Sequence, residues 1–161
     1  MYNIDRFVEM HKEYYETALQ EIKNGYKRSH WMWYIFPQLK DLGRSSTSEY
    51  YGIENIDEVK EYMENDYLKN NMLEICNALL KQDEDIRYIM GYPDYLKLNS
   101  CMTLFEYAFP EEKIFSKVID KFYKGKRDNM TLNILKKMMI RKPYINNIHF
   151  TLLWLSLYFM V

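Results

Sequence analysis

The residues best suited to chemistry lie in one run, Lys27 to Ser46, which reads KRSHWMWYIFPQLKDLGRSS. Lys27, Arg28, His30 and Arg44 stand among Trp31, Trp33, Tyr34 and Phe36, and Ser29, Gln38 and Ser45 add neutral hydrogen-bonding groups. Planar rings offer stacking faces, ammonium and guanidinium groups make charge-assisted bonds to phosphate, and hydroxyls with an amide fix orientation. A small ligand with an aromatic ring and an anionic group, such as a nucleotide, satisfies all three at once. Each residue also has a plainer role, since a tryptophan is more often core than platform and an arginine more often a solvated or paired charge. The combination sets the run apart.

Several chemistries are absent from the sequence. No Ser-His-Asp order, G-x-S-x-G elbow, phosphate-binding glycine loop or H-E-x-x-H pair is present, which removes the commonest hydrolase and nucleotidase readings. Cys76 and Cys101 lack a second cysteine or histidine at metal-ligand spacing and read as buried reduced thiols, so neither a metal nor a cofactor is implied. His30 is the one histidine of the run and its candidate acid-base group. The formal net charge of -1 gives no field for bulk nucleic-acid binding.

The elements around the run read as helices. Phe7, Val8, Tyr15, Ala18, Leu19 and Ile22 form one stripe at a 3.6 period, and Gly25 supplies the stop. From Tyr26 to Gly52 the periodicity dissolves around Pro37 and Gly43, the pattern of a long ordered loop holding local helix or function. Helical spacing then resumes. Asn55 or Asp57 caps a helix through Met63, and Asp66 caps a longer one that buries Leu68 to Leu80. A short helix runs from about Asp83 to Met90, another starts at about Pro93 and carries its apolar stripe over Tyr95 to Phe109, one begins at Pro110 and stops at Gly125, and Asp128 caps the last, through about Arg141. No segment alternates with period two, so the expectation is an all-α, single multihelical domain over residues 1–161.

At the far end FTLLWLSLYFMV, Phe150 to Val161, is almost wholly apolar. Twelve helical residues reach only about 18 Å, short of a roughly 30 Å hydrocarbon layer, so residues 148–161 read as a buried closing helix rather than a transmembrane span. A membrane-interface anchor is the alternative. With no secretory signal at the start, the expected compartment is the cytoplasm.

The strings HWMWYIFPQL, LGRS, YGI, KLNSCMTLF and DKFYKGKRD resemble the family catalogued as domain of unknown function 1810, over about Asp5 to Leu135. The resemblance implies a mainly helical fold and an uncharacterised function. It singles out Lys27, His30, Gln38, Ser45, Asp94, Lys97, Ser100 and Thr103 as the family's polar motif positions, with Asp94 the carboxylate partner for His30 in any acid-base role. The chain departs from the family's usual Gly at Asp41, Ser at Cys101 and frequent Arg at Asn99, and the last two flank the second motif. Lys97, Ser100 and Thr103, spaced by three, form one polar edge on a helix that would bring Lys97 to Lys27 and Arg28 around an anion. Otherwise Lys97 lies along the surface while the two hydroxyls bond back to their own helix.

Three functions fit. The first is a domain that holds or sequesters a small phosphorylated, nucleotide-like ligand. The second is an enzyme acting on an ADP-ribose or nicotinamide nucleotide bond with His30 or Asp94 as acid-base group. The third is a protein-interaction module that docks a partner on its aromatic loop.

Overall fold

The computed structural model describes residues 2–140, which are helical and contain no strand. The chain forms α1 (Asp5–Lys23), α2 (Met32–Ile35), α3 (Ser46–Tyr51), α4 (Ile56–Glu64), α5 (Asp66–Leu80), α6 (Ile86–Met90), α7 (Asp94–Ala108) and α8 (Lys113–Tyr123). Residues 129–140 continue as a further helix, α9. The apolar run of residues 150–161, with the closing helix expected there, lies outside the described residues. Among the described residues no helix is long and apolar enough to cross a membrane.

Helix α1 packs on α5 and α2, α5 on α8, and α7 on α8. Fully buried Phe7, Tyr62 and Phe105 form a line of edge-to-face rings, 5.3 and 5.5 Å apart, that joins α1, α4 and α7. The expected apolar stripe of α1 is buried, except for half-buried Val8, but two polar residues share it: Arg6 and His11. Gly25 at φ +72° ends α1 in the left-handed conformation that glycine adopts without a steric penalty.

Three helix starts differ from those the sequence suggests. Asn65, not Asp66, caps α5 by accepting the Leu68 N–H at 3.1 Å. Asp85 accepts the Arg87 N–H, so α6 begins at Ile86 instead of near Asp83. The Pro110 segment forms a turn in which the Glu112 N–H donates to the Phe109 carbonyl, and α8 starts only at Lys113. A side chain or turn carbonyl that takes the backbone donor first sets the boundary in each case. Asp128 caps α9 as expected, accepting from the Thr131 N–H and hydroxyl.

The stretch between α1 and α4 is not one loop. It holds α2, a single 3-10 turn over Lys40–Leu42, and α3. It is tied across itself by the pair Ile53 N–H to Gln38 carbonyl (2.8 Å) and Lys40 N–H to Ile53 carbonyl (2.9 Å). Cys76 and Cys101 are free and buried, and burial pushes both thiols up. No cluster of metal-ligating side chains occurs among the described residues.

His11 is the one buried imidazole described. Its Nε2 lies 2.9 Å from the Tyr34 carbonyl, and its Nδ1 lies 3.2 Å from the Asn71 amide nitrogen. The neutral ring with its proton on Nε2 donates to the first and accepts from the second, and protonation would set two donors face to face at Asn71. Burial accordingly lowers its pKa from 6.5 to about 4, against the opposing pull of the Tyr34 carbonyl. A folded-state pKa below the unfolded one means that the stabilisation is full above about pH 6.5 and is lost as pH falls towards 4. Urea unfolding at about pH 7.5 and 4.5 should therefore cost the wild type about 2–3 kcal/mol more than it costs His11→Gln. Equal losses in the two proteins would remove His11 as the cause.

Candidate functional site

A cleft of about 410 Å³ opens between α2, α3 and the first turn of α7. Met32, Trp33, Tyr34 and Tyr51 form its apolar wall, and His30, Ser45, Thr47, Asp94 and Lys97 its polar side. The Tyr34 ring lies between Tyr14 and Tyr51, with centroids 5.2 and 5.1 Å away. Its hydroxyl donates to the His30 carbonyl. Burial raises the Tyr34 pKa, and the neighbouring Tyr14, Tyr51 and Glu13 add to the effect, so the phenol keeps its proton. Gly43 sits so close that a Cβ there would lie 2.1 Å from Ser48 Cβ and 2.8 Å from the Trp33 ring. The missing side chain lets Trp33 approach the start of α3.

The polar side centres on Asp94, the first residue of α7, where an anion also suits the helix dipole. Its carboxylate accepts from Lys27 Nζ at one oxygen and from Lys97 Nζ at the other, both at 2.7 Å. Burial opposes the charged form of Asp94, but the two ammonium groups outweigh it and its pKa falls below the ordinary value. Lys27 is nearly buried, donates also to the Ser29 carbonyl at 2.6 Å, and lies 4.7 Å from the centre of the Trp31 ring. Lys97 spends one donor on Asp94 and keeps two at the cleft. Two cations against one carboxylate give the Lys27–Asp94–Lys97 group itself one positive charge in excess.

The backbone leading into the cleft is held by Glu21 of α1. Its carboxylate accepts four donors: the amides of Arg28 (2.9 Å) and Ser29 (3.1 Å), the Ser29 hydroxyl (2.5 Å) and the Trp31 indole N–H (2.8 Å). Burial pushes the Glu21 pKa up, yet the Ser29 hydroxyl, the two amides and the indole together bring it below the ordinary value. Ser45 caps α3 through a reciprocal pair with Ser48, which fixes the opposite lip.

The structure brings His30, Trp33, Tyr34, Ser45, Asp94 and Lys97 together in one cleft, with Lys27 directly behind Asp94. Other candidates lie elsewhere. Trp31 and Phe36 are fully buried in the core. Ser29 is engaged with Glu21. Arg28 is exposed, its guanidinium 5.7 Å over the Tyr26 ring, and Arg44 is exposed with no partner among the described residues. Gln38 is buried, with its carbonyl bonded to Ile53 and its side-chain nitrogen unpaired among the described residues. Ser100 donates back to the Leu96 carbonyl, and Thr103 Oγ1 accepts the Asp128 N–H, so these two hydroxyls of the α7 edge serve the fold. Asn99 donates to the Lys126 carbonyl, and Cys101 is core.

Sequence reasoning missed Met32, Thr47 and Tyr51, and it missed Glu21 and His11 behind the wall. His11 had a signal: it stands four residues after Phe7 and four before Tyr15, on the apolar stripe itself. Glu21 had one too, three residues after Ala18 and beside Ile22.

Helices enclosing an aromatic and basic cleft define a class of small all-α domain, and comparison places this one further. The family described as "Protein of unknown function (DUF1810)" matches residues 1–135, and the chain belongs to that family. The crystal structure of the conserved hypothetical protein Rv1873 from Mycobacterium tuberculosis is similar, with 35% identity and a TM-score of 0.82 over 84% of this chain and 97% of that one. No curated protein matches.

Replacing Glu21 by Ala strands the buried Trp31 indole and two loop amides, so stability should fall by about 2 kcal/mol or more, with a change in tryptophan fluorescence. Glu21→Gln keeps one acceptor oxygen and should fall between wild type and Ala. A Glu21→Ala protein with wild-type Tm and emission would show that the loop holds itself.

Proposed function

We propose that the cleft binds a small phosphorylated, nucleotide-like ligand, its anionic group at Lys97 and its ring against Trp33, Tyr34 and Tyr51. The observation that carries this is the Lys27–Asp94–Lys97 group at an aromatic cleft, two ammonium groups on one carboxylate with Lys97 facing the opening. The Thr47 hydroxyl, exposed and without an internal partner among the described residues, is a further donor for phosphate. A volume of about 410 Å³ suits a mononucleotide-sized ligand. Asp94 serves in this arrangement as the anchor that spaces two lysines and not as a general acid, because both lysines favour its ionised form.

His30 and Asp94 line the same cleft, which supports an enzyme acting on an ADP-ribose or nicotinamide nucleotide bond as the second possibility. Against it, the His30 side chain has no hydrogen-bond partner among the described residues to orient it as a base.

Thermal-shift and calorimetric titration with AMP, ADP, ADP-ribose, NAD and adenosine separates these cases. Phosphorylated compounds should raise the Tm by mass action while adenosine does not. Lys97→Ala should weaken their binding about tenfold, the scale of one charge-assisted bond. Recovery of the nucleotide unchanged identifies a binding domain, and cleavage that disappears in His30→Ala identifies an enzyme. Adenosine and AMP acting alike, or neither acting, would rule out phosphate recognition here.

A further inference from the structure

The first turn of α7 has a second cleft on its other side. While Asp94 and Lys97 line the first cleft, Tyr95 lines a groove of about 330 Å³ with Phe122, Tyr123, Lys124 and the Asp85–Arg87 pair. The Tyr123 hydroxyl donates to the Tyr95 carbonyl at 2.6 Å, which fixes the groove floor against α7. Beside the shared turn stands Tyr92, 83% exposed, its ring 6.4 Å from that of Tyr95. On α6, which supplies Arg87 to the groove, Tyr88 is 60% exposed and packs at 5.5 Å on exposed Tyr26. Single exposed tyrosines are ordinary, but rings gathered from three segments next to two clefts form a stacking surface.

The charges around this surface are unequal. Asp94 is bonded to two lysines and Glu21 to four loop donors, and Asp85 is paired with Arg87. The Arg28, Lys124 and Lys126 side chains are exposed and have no carboxylate partner among the described residues, against Glu84 and Glu21 as neighbouring acids that pair with no cation, and Glu21 is turned to the loop donors. Cations without partners, interleaved with exposed rings, match a chain that alternates phosphates and bases. The net charge of -1 for the whole molecule confines the attraction to this face.

We propose that a single-stranded oligonucleotide crosses the first turn of α7, with a terminal nucleotide in the first cleft, the next base stacked on Tyr92, and the following phosphate at Lys124 in the groove, with Lys126 two residues further along the chain. This rests on nucleotide binding in the first cleft and extends the ligand class from a free nucleotide to the end of a strand.

Fluorescence anisotropy with labelled, 5′-phosphorylated single-stranded RNA and DNA hexamers, competed by AMP, tests it. Hexamers should bind at least about tenfold more tightly than AMP, and Tyr92→Ala should cost the hexamer about tenfold while leaving AMP affinity unchanged. The double variant Lys124→Ala/Lys126→Ala should weaken hexamer binding and reduce its salt dependence, again without effect on AMP. AMP bound with hexamers no tighter, or hexamer affinity untouched by Tyr92→Ala, overturns the strand path while sparing the first cleft. No AMP binding, with hexamer binding still sensitive to Tyr92, would overturn the nucleotide cleft and the path that begins in it. A face reserved for a protein partner would bind no oligonucleotide, which also overturns the proposal.

Discussion

Helix α1 puts three polar side chains where its apolar stripe meets the chain that follows, and each takes up backbone from that chain. Glu21 accepts from its start at Arg28 and Ser29, His11 lies 2.9 Å from the Tyr34 carbonyl near its middle, and Arg6 donates to the Gly52 carbonyl at its end. Buried amides and carbonyls must find partners, and between α1 and α4 the helices are too short to supply them all. The side chains of α1 substitute for a ladder or a long helix. Arg6 is held in turn by Glu58 at 2.5 Å, a buried pair that fastens α1 to α4. The aromatic wall of the cleft therefore has a rigid spine behind it, as a preorganised site requires.

The second constraint is electrostatic. A carboxylate and two ammonium groups at 2.7 Å would be costly to bury completely, and a site at the mouth of a cleft lowers that cost because Lys97 stays partly solvated. Lys27, almost sealed, acts chiefly through Asp94 and the Trp31 ring. Lys97 is the one of the two that meets solvent in the cleft. One motif thus divides between support and contact, a division set by burial rather than by residue type.

The similarity to Rv1873 is one of fold and sequence. At 35% identity the helical arrangement is retained to a TM-score of 0.82, as expected when core volume and patterning survive and surface residues drift. The match to the family ends at residue 135, inside α9, so the fold that frames the cleft is contained in the shared part.

The all-α class was legible because helix periodicity is local: the stripe of α1, the Asn55 and Asp128 caps and the Gly25 stop each depend on residues within a few positions. The unusual composition of residues 27–45 was legible for the same reason, since their types stand out in the chain. Which of them face one another was not. Trp31 and Trp33 are two positions apart and alike in type, yet one is fully buried with its indole N–H on Glu21 and the other lines the cleft. Ser100 and Thr103 share a spacing with Lys97, but only Lys97 reaches the site. By itself the sequence determined the helices, their approximate ends and the residue types on offer, whereas the tertiary structure alone decided the Glu21 and His11 contacts and the meeting of Lys27 with Asp94. Patterning depends on neighbours along the chain; a site depends on groups far apart in sequence, and only packing selects which of them meet.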